Sequence, residues 1–236
     1  MIPYRDTVPL RYTPWVTWTL IAVNFALFVL VDFLPERTQV HVTYLYGLVP
    51  ARYGYPGWAA WFGLSPDDYT PLVTHMFLHS NWLHVTLNMW LLWIFGDNIE
   101  DRMGGIRFLA FYLLCGVAGA GLQIFANAHS TTPLIGASAA IAGILGAYFF
   151  LLPNARIVIW VFMLPIFFQV PAIAFLGIWV MFQLYKITTG LSSGAAFTDV
   201  AWWGHLGGFI AGALIHRGFL SADRAASFSG RERHAP

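Results

Sequence analysis

Several stretches of this chain run for about 20 residues almost without charge, the length needed to cross a hydrocarbon core. That limits the fold more than any motif does, because backbone polar groups in lipid must be satisfied within the protein, as a helix does. Composition agrees. Hydrophobic residues make up 58% of the 236 and charged residues 10%, against about 25% charged in an ordinary soluble domain. The net charge of +1 gives no footprint for binding nucleic acid. Cys115 is the only cysteine, so no intrachain disulfide can form, and in its apolar run it reads as a packing residue. The expected fold class is an all-α membrane protein, a six-transmembrane helical bundle.

The spans are expected at about 15–34, 82–95, 106–126, 136–152, 171–187 and 200–215. Asn24 is the one polar side chain near the middle of the first and suggests an interhelical hydrogen bond. Asn81 is a candidate N-cap for the second, and a charged turn is expected at Gly96–Arg102. The loop of about 35–74 is broken by Gly, Pro and Asp yet rich in aromatic rings. It reads as an interfacial segment with one or two short helices. Ile157–Phe168 is apolar but interrupted around Pro165 and Pro171, which suggests a partly immersed loop. A polar segment at 1–14, without a signal peptide's pattern, and a flexible tail at 217–236 flank the 15–216 membrane domain.

Six spans place both termini on one side. Putting that side in the cytoplasm assigns Arg5, Arg11, Arg102, Arg107, Arg156, Arg217, Arg224, Arg231 and Arg233 inside. Only Arg37, Arg52 and Lys186 then fall outside, so nine of the twelve basic residues follow the positive-inside rule. The expected location is a cell membrane, specifically a bacterial inner membrane, with the lipid bilayer as the constant partner.

With that topology the second, fourth and sixth spans enter from the outer face. His84 and His205 each follow a tryptophan by two residues, and tryptophans mark the interface. Ser138 is expected about a turn inside its span. A serine, a histidine and an amide at one shallow depth suggest a nucleophile, a base and an oxyanion clamp. Membrane serines often only bond back to their own helix. Here, however, Gly136, Ala137, Ala139 and Ala140 leave the hydroxyl unobstructed near a helix start. Gly204, Gly208 and Gly212 repeat every four residues, a groove suited to the small face Ala139, Gly143 and Gly146. Such an approach can bring Ser138 to His205.

His84 and Asn88 share a helix face. His75 and His79 share the same spacing, which raises a zinc alternative. Zinc sites usually include an acidic or thiolate ligand, and no carboxylate accompanies this cluster. No metal and no cofactor are expected.

Read together, His84-x-x-x-Asn88, Gly136-Ala137-Ser138 and His205-x-x-Gly208-x-x-x-Gly212 resemble the rhomboid family of intramembrane serine proteases, of bacterial type. Gly96-Asp97-Asn98-Ile99-Glu100-Asp101-Arg102-Met103-Gly104 is similar to the turn after that family's second helix. Tyr46-Gly47-Leu48-Val49-Pro50 resembles its first loop. The resemblance implies a dyad of Ser138 as nucleophile and His205 as general base. It also implies an oxyanion hole of His84, Asn88 and the Ser138 backbone N–H, with transmembrane proteins as substrates. Two departures stand out: Ala139 replaces a common glycine, and a first-loop Trp-Arg pair is absent. A non-catalytic rhomboid-like binder would typically lack the serine or the histidine. A small transporter would want midplane polar residues and an internal repeat. The expected function is therefore an intramembrane serine endopeptidase.

Overall fold

The computed structural model describes residues 2–161, 164, 166–193 and 201–224. It is mostly helical, and among the described residues three helices are long and apolar enough to cross a membrane. These are α1 (Trp15–Asp32), α8 (Gly105–Ala126) and α10 (Ala172–Ser193). The shorter α9 (Ser138–Leu151) occupies the centre, with Ala139 to Tyr148 buried throughout. A helix apolar on every face belongs inside a bundle. Around it pack α8 and α11 (Trp202–Phe219).

Small residues explain how closely these three approach. A Cβ at Gly212 would overlap the carbonyl oxygen of Gly143, and one at Gly146 would overlap that of Phe209. The expected groove therefore meets the expected face. Without a hydrophobic force to separate helix from lipid, close van der Waals contact of this kind drives association.

The loop after α1 is more structured than the one or two helices expected. It holds α2 (Glu36–Tyr46), α3 (Pro50–Gly54), α4 (Pro56–Trp61) and α5 (Pro71–Thr74). Proline opens three of the four, where its missing N–H costs nothing. A single turn at His75–Phe77 follows.

Next come α6 (Trp82–Leu91), a five-residue π segment at Leu92–Gly96, and α7 (Asp97–Met103). Asn81 does cap α6, accepting from the N–H of His84 at 2.9 Å. The charged stretch is thus helical, not a turn. Its acids cap the N-terminal region instead: Glu100 accepts from Val16 N–H at 3.0 Å and Thr17 N–H at 2.7 Å. Asp101 accepts from Tyr12 N–H at 2.9 Å. Carboxylates at a helix start satisfy orphan donors and the dipole. Gly104, at φ +82°, ends α7 in a backbone region that glycine adopts freely.

Three further readings change. The N-terminal segment supplies β1 (Ile2–Asp6), and Ile157–Phe168 is not a loop but most of a hairpin, β2 (Arg156–Val161) and β3 (Ile166–Pro171). The three form one antiparallel sheet in the order β1-β2-β3. The β-branched run Ile157-Val158-Ile159 suits a pleated surface, and its three residues are buried. Pro3 lies in an edge strand and Pro171 ends another, positions that need no ladder N–H. Asn24, third, bonds its own helix, donating to Leu20 O at 2.8 Å. Val200, Arg231, Arg233 and the tail from residue 225 lie outside the described residues.

Candidate active site

Ser138 is the first residue of α9, not a turn inside it. The chain leading to it is pinned twice. Leu48 and Leu134 exchange backbone hydrogen bonds of 2.9 and 2.8 Å, and Gly136 N–H donates to His75 O at 2.9 Å. The first loop thus holds the entry to α9, which gives Tyr46-Gly47-Leu48-Val49-Pro50 a positioning role.

His205 lies on the first turn of α11. Gln123 of α8 fixes that turn, its buried side-chain oxygen accepting from Gly204 N–H at 3.0 Å. With α11 drawn onto α9 by Gly208, His205 Nε2 comes to 2.8 Å from Ser138 Oγ. The sequence-predicted pair therefore meets. Ala139, the departure from the usual glycine, is accommodated by neighbouring glycines: a Cβ on Gly119 would stand 2.8 Å from its methyl group.

His84 and Asn88 face the same spot from α6. Gly136, at φ +123°, leaves open the space they line. A Cβ there would lie 2.7 Å from His84 Nε2 and 3.6 Å from Asn88 Nδ2. His84 Nδ1 is 3.1 Å from Ser80 Oγ. It also accepts the Ser80 backbone N–H at 3.5 Å. When Nδ1 accepts from Ser80, the ring proton sits on Nε2 and the edge toward Gly136 is a donor.

The histidines upstream do not converge as ligands. His75 turns its Nδ1 to Pro71 O at 2.8 Å. His79 packs edge-on against His84 with ring centroids 5.1 Å apart, and neither of its ring nitrogens has a hydrogen-bond partner among the described residues.

A cavity of about 880 Å³ opens onto the pair, lined by His79, His84, Asn88, Ser138 and His205 and walled by Leu83 and Leu87 of α6. Behind Ser138 lies a second of about 20 Å³, bordered by His75, Gln123 and Gly136. That is room for one water beside polar groups.

One neighbour escaped the sequence reading. Gln183 of α10, only 3% exposed, places Oε1 at 3.0 Å from His205 Nδ1. A lone glutamine among apolar residues was the available signal, since polar side chains in such helices are costly to keep.

The chain matches the Rhomboid domain family model over residues 66–222, and it belongs to the rhomboid family. It is 26% identical to the Rhomboid protease GluP of Bacillus subtilis over 218 residues, 92% of this chain and 37% of that protein. It is 27% identical to Rhomboid protein 1, mitochondrial, of Saccharomyces cerevisiae over 61% of this chain and 40% of the relative. It is 31% identical to the human Presenilin-associated rhomboid-like protein, mitochondrial, over 61% of this chain and 36% of the relative. The matches cover 40% or less of these relatives' own lengths.

Proposed function

We propose that this protein is an intramembrane serine endopeptidase that cuts transmembrane segments with Ser138 as nucleophile and His205 as general base. The observation that carries the reading is the 2.8 Å approach of Ser138 Oγ to His205 Nε2 at the mouth of a cavity. A serine hydroxyl becomes a competent nucleophile when a base takes its proton as it attacks.

In this reading Oγ attacks the scissile carbonyl while His205 Nε2 accepts its proton. The carbonyl oxygen, now negative, sits in the gap over Gly136. There it meets His84 Nε2–H, the Asn88 amide and the Ser138 backbone N–H, donors already in place before charge develops. His205 returns the proton to the leaving amine. A water then repeats the sequence on the acyl-enzyme, with the small cavity behind Ser138 as its store.

The length of α9 supports a membrane substrate. Fourteen residues reach about 21 Å at 1.5 Å each, short of a hydrocarbon core of about 30 Å. In this reading the shortfall lies at the serine end, where a transmembrane segment can reach Ser138 and water can enter. The orientation with both termini cytoplasmic rests on the nine basic residues assigned to that side. The relatives include bacterial and mitochondrial proteins, so the comparisons support a membrane location but not specifically the bacterial inner membrane expected from the sequence.

Purified protein should react with a fluorophosphonate probe and cleave a model transmembrane substrate. Ser138→Ala and His205→Ala should each reduce cleavage to background while remaining folded and inserted. Full cleavage by either variant would overturn the dyad.

A further inference from the structure

We propose that Gln183 is a positioning residue that holds His205 in the one tautomer able to serve as base. The inference rests on the proposed Ser138–His205 chemistry. To take a proton from Ser138, His205 must present a lone pair at Nε2, so its own proton must sit on Nδ1. Gln183 Oε1 lies 3.0 Å from that nitrogen. A carbonyl oxygen can only accept, so this contact selects Nδ1–H. Loss of the tautomer, with geometry otherwise intact, is known to cost serine hydrolases heavily.

The surroundings make the contact consequential. Gln183 is buried on α10, four residues after Trp179 and on the same face. Trp179 and Trp202 flank the imidazole with ring centroids at 6.1 and 6.0 Å. Two rings limit how far the histidine swings, and the amide sets which nitrogen carries the proton. An ionised carboxylate in this role would have to be kept charged among apolar helices, which is costly. A neutral amide orients the ring without that cost. The titratable group facing His205 from α6 is His84. Lys186 of α10 stands one ring away, its Nζ 5.9 Å from the Trp202 centroid. From α9 and α8 the neighbouring polar groups are the neutral Ser138 and Gln123.

The test compares wild type with Gln183→Met, Gln183→Glu and Ser138→Ala in detergent micelles. Nitrogen-15 NMR of the histidines, assigned with His205→Ala, reports the tautomer without needing activity. Wild type should show Nδ1–H at His205, and Gln183→Met a mixture of both tautomers. For cleavage, Gln183→Met should lower kcat about tenfold or more with KM unchanged, since general-base catalysis contributes about 10²–10⁴. Gln183→Glu should restore turnover and move the acidic limb of the pH–rate profile upward by about 1–3 units, as a nearby negative charge favours imidazolium. A merely structural glutamine would not move that limb. Nε2–H in the wild type would overturn the proposal, as would unchanged kcat and tautomer in Gln183→Met. If Ser138→Ala still cleaved while the tautomer responded to Gln183, the Ser138–His205 dyad would fall and the hold of Gln183 on the His205 ring would stand.

Discussion

A Cβ on Gly208 would overlap the carbonyl oxygen of Ala139, the residue that follows Ser138. The absence of one methyl group on α11 therefore governs how near His205 comes to Ser138.

Gly208→Ala should push α11 from α9 and lengthen the Ser138–His205 contact. Overpacking of this kind costs about 1–3 kcal/mol, so thermal stability in detergent should fall and cleavage should drop at least about tenfold, since small misplacements of reacting groups are expensive. Gly218 on the same helix has nothing among the described residues within 4 Å of its would-be Cβ. Gly218→Ala should be silent or slightly stabilising, because alanine favours helix by up to about 1 kcal/mol. Equal behaviour of the two variants would refute close packing at Gly208.

The helices and the Ser138–His205 contact were legible because lipid and close packing leave strong marks: long uncharged runs, glycines at intervals of four, and polar residues where none are cheap. The sheet was not. Arg156–Val161 is as apolar as a span, and it is a strand by pairing with Ile166–Pro171 in a hairpin and with Ile2–Asp6, some 150 residues earlier in sequence. Pairing over such distances has no local signature. The acids at 97–101 misled for a related reason. Read locally they suggest a solvated turn, whereas Glu100 and Asp101 cap backbone donors about 80 to 90 residues away. Gln183 was missed because the residue types of a dyad do not demand a third member.

The proposed oxyanion donors give a graded expectation. Removing one such donor typically costs about 10²–10³ in turnover, or roughly 2.7–4 kcal/mol. Asn88→Ala should keep weak but measurable cleavage, and His84→Ala should be similar or somewhat worse. Apparent substrate affinity should hardly change, because the interaction strengthens only in the transition state. Gly136→Ala should be more severe than either. It adds backbone strain at φ +123° and places a methyl group against the His84 ring. Weakened binding with unchanged kcat in Asn88→Ala would move that residue to packing.

Chelation distinguishes the dyad from the zinc alternative raised by His75, His79 and His84. A serine nucleophile activated by histidine needs no metal, so EDTA should leave cleavage of a model substrate intact. Loss of activity in EDTA with recovery on adding zinc would favour the metal.

At the end of the molecule away from Ser138, Asp6 and Asp97 share one amide. Asn98 Nδ2 donates to Asp6 Oδ2 at 2.7 Å and to Asp97 Oδ1 at 2.9 Å, while Tyr148 donates to Asp6 Oδ2 at 2.6 Å. Burial, reinforced by the Asp6 charge, pushes the Asp97 carboxyl up to about 7. In an unfolded chain it titrates near 3.9. Between those values the folded state holds a proton that the unfolded state releases. The contribution of Asp97 to stability is therefore complete below about pH 4 and declines as pH rises through about 7. Asp97→Asn removes the titration while keeping the amide's shape and an acceptor for the Asn98 backbone N–H. Thermal stability in detergent should then depend less on pH between about 4 and 8, with the variant gaining most above pH 7. At about 1.4 kcal/mol per unit over about three units, the gain is at most about 4 kcal/mol. Parallel pH profiles for wild type and Asp97→Asn would show that the buried carboxyl does not link this end of the fold to protonation.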